Sequence, residues 1–120
     1  MYEYMAEVTR VVDGDTLDVD VDLGMNVHVH ERLRLRGVNA PEIFGVKKDS
    51  PEYERGMDAM HFLVKLIPPG TKVKVRTVKD RKGKYGRYVA DVLVTDPDVG
   101  TVSNVADVLV EKGYAEISNA

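Results

Sequence analysis

Four short segments gather the side chains able to do chemistry. Asp13-Gly14-Asp15-Thr16 sets two carboxylates around a turn, and Arg32, Arg34 and Arg36 put three guanidinium groups on one strand face. Asn39-Ala40-Pro41-Glu42 follows at once, and Lys84-Tyr85-Gly86-Arg87 closes a basic stretch. A carboxylate beside a water can take its proton. Arginines are always-charged, bidentate donors to an oxyanion. The chain has no cysteine, so thiolate metal sites, disulfides and cysteine nucleophiles are excluded. Residues 65–87 carry nine bases and one acid, inside a chain of net charge −3. Such a block suits an anionic ligand. Its plain alternative is a solvated hairpin whose lysine-rich edge discourages strand-to-strand aggregation.

These segments need a scaffold. The 120 residues, 43% of them hydrophobic, suffice for one domain, 1–120, around a single core. No apolar run approaches the roughly 20 residues that span a bilayer. Met1–Glu7 lacks the basic and apolar regions of a secretory signal, so the expected compartment is intracellular, with no membrane partner. Residues 4–12 read as a strand, with a turn at Asp13-Gly14. Leu17, Val19, Val21 and Leu23 then alternate with acids, which is a half-buried strand. After a turn at Gly24-Met25-Asn26, residues 27–38 alternate again, and Glu31 interrupts the apolar set, predicting a bulge or an exposed edge. Ser50-Pro51-Glu52 starts a helix, with Tyr53, Met57, Met60, Val64 and Ile67 as its apolar stripe. Pro68-Pro69-Gly70 stops it. Val73, Val75, Thr77, Val89, Val92 and Val94 form a second hairpin around the basic turn. A short helix capped by Ser103 or Asn104 ends at Gly113. The order β-β-β-α-β-β-α predicts a five-stranded OB-fold barrel with at least two helices packed on it.

Two further patterns are weaker. Asp18-x-Asp20-x-Asp22 starts like an EF-hand loop but has Leu23 and Val29 where that loop needs Gly and Glu. His28 and His30 share a strand face and read as solvated.

The pieces VVDGDTLDV, LRLRGVNAPE, DRKGKYGRYVADV and NVADVLVEKGYA resemble, in order and spacing, the staphylococcal nuclease (thermonuclease) family, from about Val8 to Ala115. The resemblance implies an OB-fold of that type, one Ca²⁺, and hydrolysis of phosphodiester bonds in single-stranded DNA or RNA. It makes Asp15 a direct metal ligand and Asp13 the outer-shell acid. Asn39 takes the position of the second carboxylate ligand, and Ala40 offers its backbone carbonyl. Glu42 matches the general base, Arg34 and Arg87 match the two catalytic arginines, and Lys84 and Tyr85 match contacts to a terminal phosphate.

Two departures stand out. Asn39 is neutral where the family has an aspartate, which predicts weaker Ca²⁺ binding by about one to two decades. The family's longer members carry tyrosines and a helix past the position of Gly113, where this sequence offers Tyr114 and ends at Ala120. Weaker substrate binding, or cover of the bare barrel surface by a homodimer, is the corresponding expectation. The competing reading is an inactive OB-fold module that binds nucleic acid or protein. It is motivated by Asn39 and the acidic balance, and opposed by the retention of Arg34, Glu42 and Arg87.

Overall fold

The computed structural model describes residues 2–78 and 86–118. Three long strands come first: β1 (Tyr2–Asp13), β2 (Thr16–Asp22) and β3 (His28–Leu35). A two-residue strand β4 (Val38–Asn39) and helix α1 (Pro51–Leu66) follow. Then come β5 (Lys72–Thr77), β6 (Tyr88–Thr95), β7 (Val102–Asn104), α2 (Val105–Glu111) and β8 (Glu116–Ile117). The order β3-β2-β1-β5-β6 is closed by a parallel pairing of β3 with β6, Leu33 opposite Tyr88 and Leu35 opposite Ala90. The result is the expected five-stranded barrel with two helices, of the OB type. β7 pairs antiparallel with the end of β6, and β4 pairs separately with β8.

Alternation decides what faces inward. Leu17, Val19 and Val21 of β2 and Val73 and Val75 of β5 are buried in the barrel, as period-two strands require. Three expectations about the strands need correction. Glu31 makes no bulge: it sits opposite Val19 in an unbroken β2–β3 register, half-buried on the same face as Leu33. The irregularities fall in β1 instead, between Val8 and Arg10 and between Val11 and Asp13. Val89 is exposed, because the register of β6 turns Ala90 and Val92 inward. The strand read over residues 27–38 also stops at Leu35. Gly37, at φ +80, turns the chain before β4, a conformation glycine adopts without a Cβ penalty.

Helix α1 starts as its sequence dictates, with the Ser50 hydroxyl accepting from the Tyr53 N–H at 3.2 Å. Its deepest line is Gly56, Ala59 and Leu63, continued by Ile67. Tyr53, Met57, Met60 and Val64 are only half-buried. Small residues let the helix approach a neighbouring backbone. A Cβ on Gly56 would lie 2.8 Å from the Pro41 carbonyl oxygen, 2.9 Å from that of Glu42 and 2.5 Å from Ile43 Cγ2. We therefore expect Gly56→Ala to destabilise the fold despite alanine's helix preference of roughly 1 kcal/mol. Overpacking costs about 1–3 kcal/mol, and here two of the three atoms in the way are backbone. Urea unfolding checks this, and a variant as stable as the parent would show that the 41–43 segment yields.

Candidate active site

The β1–β2 connection is a two-residue loop, Gly14-Asp15, between paired Asp13 and Thr16, one residue beyond the expected turn. Gly14 is needed there for room. A Cβ would fall 2.7 Å from the Ala40 Cβ and 2.8 Å from the Ala59 Cβ. The loop thus packs against both the Ala40 segment and α1.

Asp15 is nearly enclosed, at 8% exposure. Its Oδ1 accepts from the Thr16 hydroxyl at 3.0 Å. Its Oδ2 accepts from the Ala40 N–H at 2.9 Å and lies 3.3 Å from Arg34 Nη2. The same Nη2 donates to Asn39 Oδ1, while Nη1 donates to the Leu35 carbonyl at 2.8 Å. An oxygen from the β1–β2 loop and one from β4 therefore converge on one guanidinium nitrogen. The neighbouring arginines of β3 are engaged elsewhere. Arg32 pairs with Asp18 at 2.7 and 3.1 Å, and Arg36 with Asp91 at 3.1 and 2.7 Å. Of the three, Arg34 is the one aimed at the acid–amide pair.

β4, which carries Asn39, is held from behind by β8. Asn39 pairs with Glu116 and Val38 with Ile117, and the Ser118 N–H donates to the Gly37 carbonyl at 2.8 Å. These positioning contacts escaped the sequence reading, as did Gly14 and Gly56, because a two-residue strand has no periodicity to show.

Asp13 stands beside this group, its Oδ1 accepting from the Asp15 N–H at 3.0 Å. Burial, then its hydrogen bond to the Asp15 carboxyl and the charge there, raise it from an ordinary 3.8 to about 6. Its folded value lies above its unfolded one. Its charge therefore costs stability fully above pH ~6 and nothing below about 3.8. We expect Asp13→Asn, which keeps an oxygen for the Asp15 N–H, to raise Tm at pH 7.5 in EDTA. The gain should fade between pH 6 and 4. An equal gain at pH 4 would mean that charge is not the cause.

The structure brings Asp13, Asp15, Arg34, Asn39 and Ala40 into one bonded group. Glu42 follows two residues after Ala40, exposed, and does not join it. Arg87 is half-buried just before β6, the strand that pairs with Arg34's own. Lys84 and Tyr85 lie outside the described residues. Tyr114, the aromatic nearest the C-terminal helix, stacks on Phe62 of α1 at 4.4 Å and 20°, so that contact occupies one face of its ring. His28 and His30 both face Asp20, at 3.4 and 4.0 Å, on the outer sheet surface.

Among the described residues no three His, Asp or Glu side chains converge as a metal cluster. The donor set near Arg34 is leaner: one carboxylate and one amide oxygen, with a backbone carbonyl next in sequence. All three are oxygen donors, which a hard cation takes. That two of them already meet at a positive group marks a point favourable to positive charge. The donors fit such an ion, with one charge fewer than a two-carboxylate site.

A model of the staphylococcal nuclease homologues matches residues 32–120. The chain belongs to that family. The matched span holds Arg34, Asn39, Glu42 and Arg87, while Asp13 and Asp15 precede it. The chain is 34% identical over 116 residues to endonuclease YhcR of Bacillus subtilis strain 168, covering 94% of this chain and 9% of that protein. It is 31% identical over 131 residues to the uncharacterized protein MJ1439 of Methanocaldococcus jannaschii, covering 95% of this chain and 59% of that protein. The chain thus spans less than two thirds of either relative, and the family is one of nucleases.

Proposed function

We propose that this chain is a metal-assisted nuclease that hydrolyses phosphodiester bonds of single-stranded DNA or RNA. The observation that carries the reading is the convergence of Asp15 Oδ2 and Asn39 Oδ1 on Arg34. A cation and a phosphate oxygen belong at such a meeting of oxygen donors and guanidinium. Asp15, Asn39 and the Ala40 carbonyl would hold Ca²⁺, with Asp13 behind them. When bound, the ion supplies a Lewis acid that offsets charge on a phosphate oxygen.

The remaining roles fall to the chain's own groups. Arg34, tethered through Nη1 to the Leu35 carbonyl, offers a pre-aimed donor to an equatorial phosphate oxygen. Arg87, just before the strand alongside, serves the leaving oxygen, where negative charge grows as the P–O bond breaks. Glu42 is exposed, so it can meet a water and take its proton. No covalent intermediate is required. Lys84 and Tyr85 are assigned to a terminal phosphate.

Digestion of denatured DNA with and without millimolar Ca²⁺, with EDTA and Arg87→Ala as controls, tests the proposal. Cleavage that requires both the ion and Arg87 is the expected result. A folded protein that cleaves nothing at any Ca²⁺ concentration, yet retains nucleic acid, would instead establish the binding-module reading.

A further inference from the structure

The loop between β4 and α1 carries an aromatic ring into solvent. Phe44 is 59% exposed. Among the described residues the other ring so exposed belongs to Tyr2, at the opposite end of β1 from the turn that holds Asp15. A lone exposed apolar side chain is ordinary on a protein surface. Phe44 differs in its setting.

The loop is held at both ends. Ile43 packs at Gly56 of α1, where a Cβ would meet its Cγ2 at 2.5 Å. At the far end the Lys47 carbonyl accepts from the Ser50 N–H at 3.0 Å and from the Ser50 hydroxyl at 2.6 Å. Between these anchors Ile43 and Val46 are half-buried, while Phe44 and Gly45 are exposed. Gly45, at φ +78, makes the turn. A ring on an anchored loop gives up little conformational freedom when it meets a ligand. Exposure also alternates before the ring: Pro41 and Ile43 are half-buried, Glu42 and Phe44 exposed. With Ile43 turned toward α1, Glu42 and Phe44 are left on the solvent side of the segment. Two peptide links join them, which keeps their Cα atoms within about 7.6 Å. Lys47 and Lys48 are exposed on the same loop, with Asp49 after them.

We propose that Phe44 is a stacking platform for an unpaired nucleobase next to the phosphodiester bond that Glu42 serves, with Lys47 and Lys48 holding the backbone phosphates beside it. The inference takes its ligand and its neighbouring site from the nuclease reading above. Single strands are held by this combination, an aromatic face for a base and positive charge for the backbone. The two lysines favour a polyanion over an apolar protein surface. The ring selects by strandedness and not by sequence. Every base has a π-face, but a base inside a duplex is already stacked on both sides. Tyr114, by contrast, has one face against Phe62.

The chain has no tryptophan, so the fluorescence of Phe44→Trp reports on this position alone. Titration with a short oligothymidylate in EDTA should quench it saturably, and an abasic strand of the same length and charge should not. With an end-labelled oligothymidylate, followed by anisotropy, Phe44→Ala should weaken binding about 5- to 150-fold, the scale of one lost base stack, with its salt dependence unchanged. Phe44→Leu keeps an apolar side chain without a π-face and should bind as weakly. Lys47→Gln combined with Lys48→Gln should instead lower the salt slope by about 1.4, two phosphate contacts on a single strand. All these side chains are exposed, so Tm should stay near the parental value. Parental binding by Phe44→Ala or Phe44→Leu, equal quenching by the abasic strand, an unchanged salt slope in the lysine variant, or no saturable binding by the parent would each overturn the inference. A parent that cleaves DNA while Phe44→Ala binds as it does keeps the nuclease reading and loses the stack. A parent that cleaves nothing, yet loses its binding in Phe44→Ala, keeps the stack and loses the reaction.

Discussion

Arg34→Ala is expected to lower kcat on single-stranded DNA by about 10²–10³-fold, the usual loss when one pre-aimed donor to a developing oxyanion is removed. The expectation comes from how the side chain is held. Its Nη1 is fixed by the Leu35 carbonyl, and its Nη2 lies between Asp15 and Asn39. The head group therefore needs little reorganisation before a phosphate arrives. Arg34→Lys should recover little of the loss, because an ammonium is a point charge and cannot hold a carbonyl and two further oxygens in one plane. The fold should survive either change. Asp15 keeps the Thr16 hydroxyl and the Ala40 N–H, so its buried charge is not stripped of partners. Tm measured beside kcat separates the two effects. A folded Arg34→Ala protein with near-parental kcat would remove Arg34 from the reaction.

The sequence showed the barrel clearly and the site in outline, for a physical reason. Period-two alternation in β2 and in Val73, Val75 and Thr77 reports which side of a strand meets a core, and the barrel is built of such strands. Glu31 was misread because alternation alone cannot distinguish a break in the strand from a polar group turned inward. Only the register with β2 resolves that. The helix stripe was displaced because hydrophobic patterning weights large side chains. Gly56 and Ala59 are buried for the opposite reason, that little fits there. Likewise the arginine run could not tell which guanidinium meets the acid–amide pair. Arg32 and Arg36 are claimed by Asp18 and Asp91, acids 14 and 55 residues away in sequence. The β4–β8 pair, which steadies Asn39, is two residues long and carries no sequence signal of its own.

Asn39→Asp bears most directly on the proposed Ca²⁺. One added carboxylate is expected to tighten Ca²⁺ binding by about one to two decades, since ligand charge count tunes such affinities. Position 39 is set by backbone pairing with Glu116 and by the Gly37–Ser118 bond, so the substitution should change the charge without moving the donor. Nor should the new carboxylate repel Asp15 out of place. Arg34 already lies against both positions and would then counter two negative charges. The effect should be one of affinity more than chemistry. Cleavage at limiting Ca²⁺ should rise strongly, while kcat at saturating Ca²⁺ should change little. Calorimetric Ca²⁺ titration of both proteins without nucleic acid reads the affinity alone. Unchanged binding in a folded Asn39→Asp protein would place the cation away from residue 39. The convergence on Arg34 would then be a structural ion pair, and the case for a metal at this point of the barrel would fall with it.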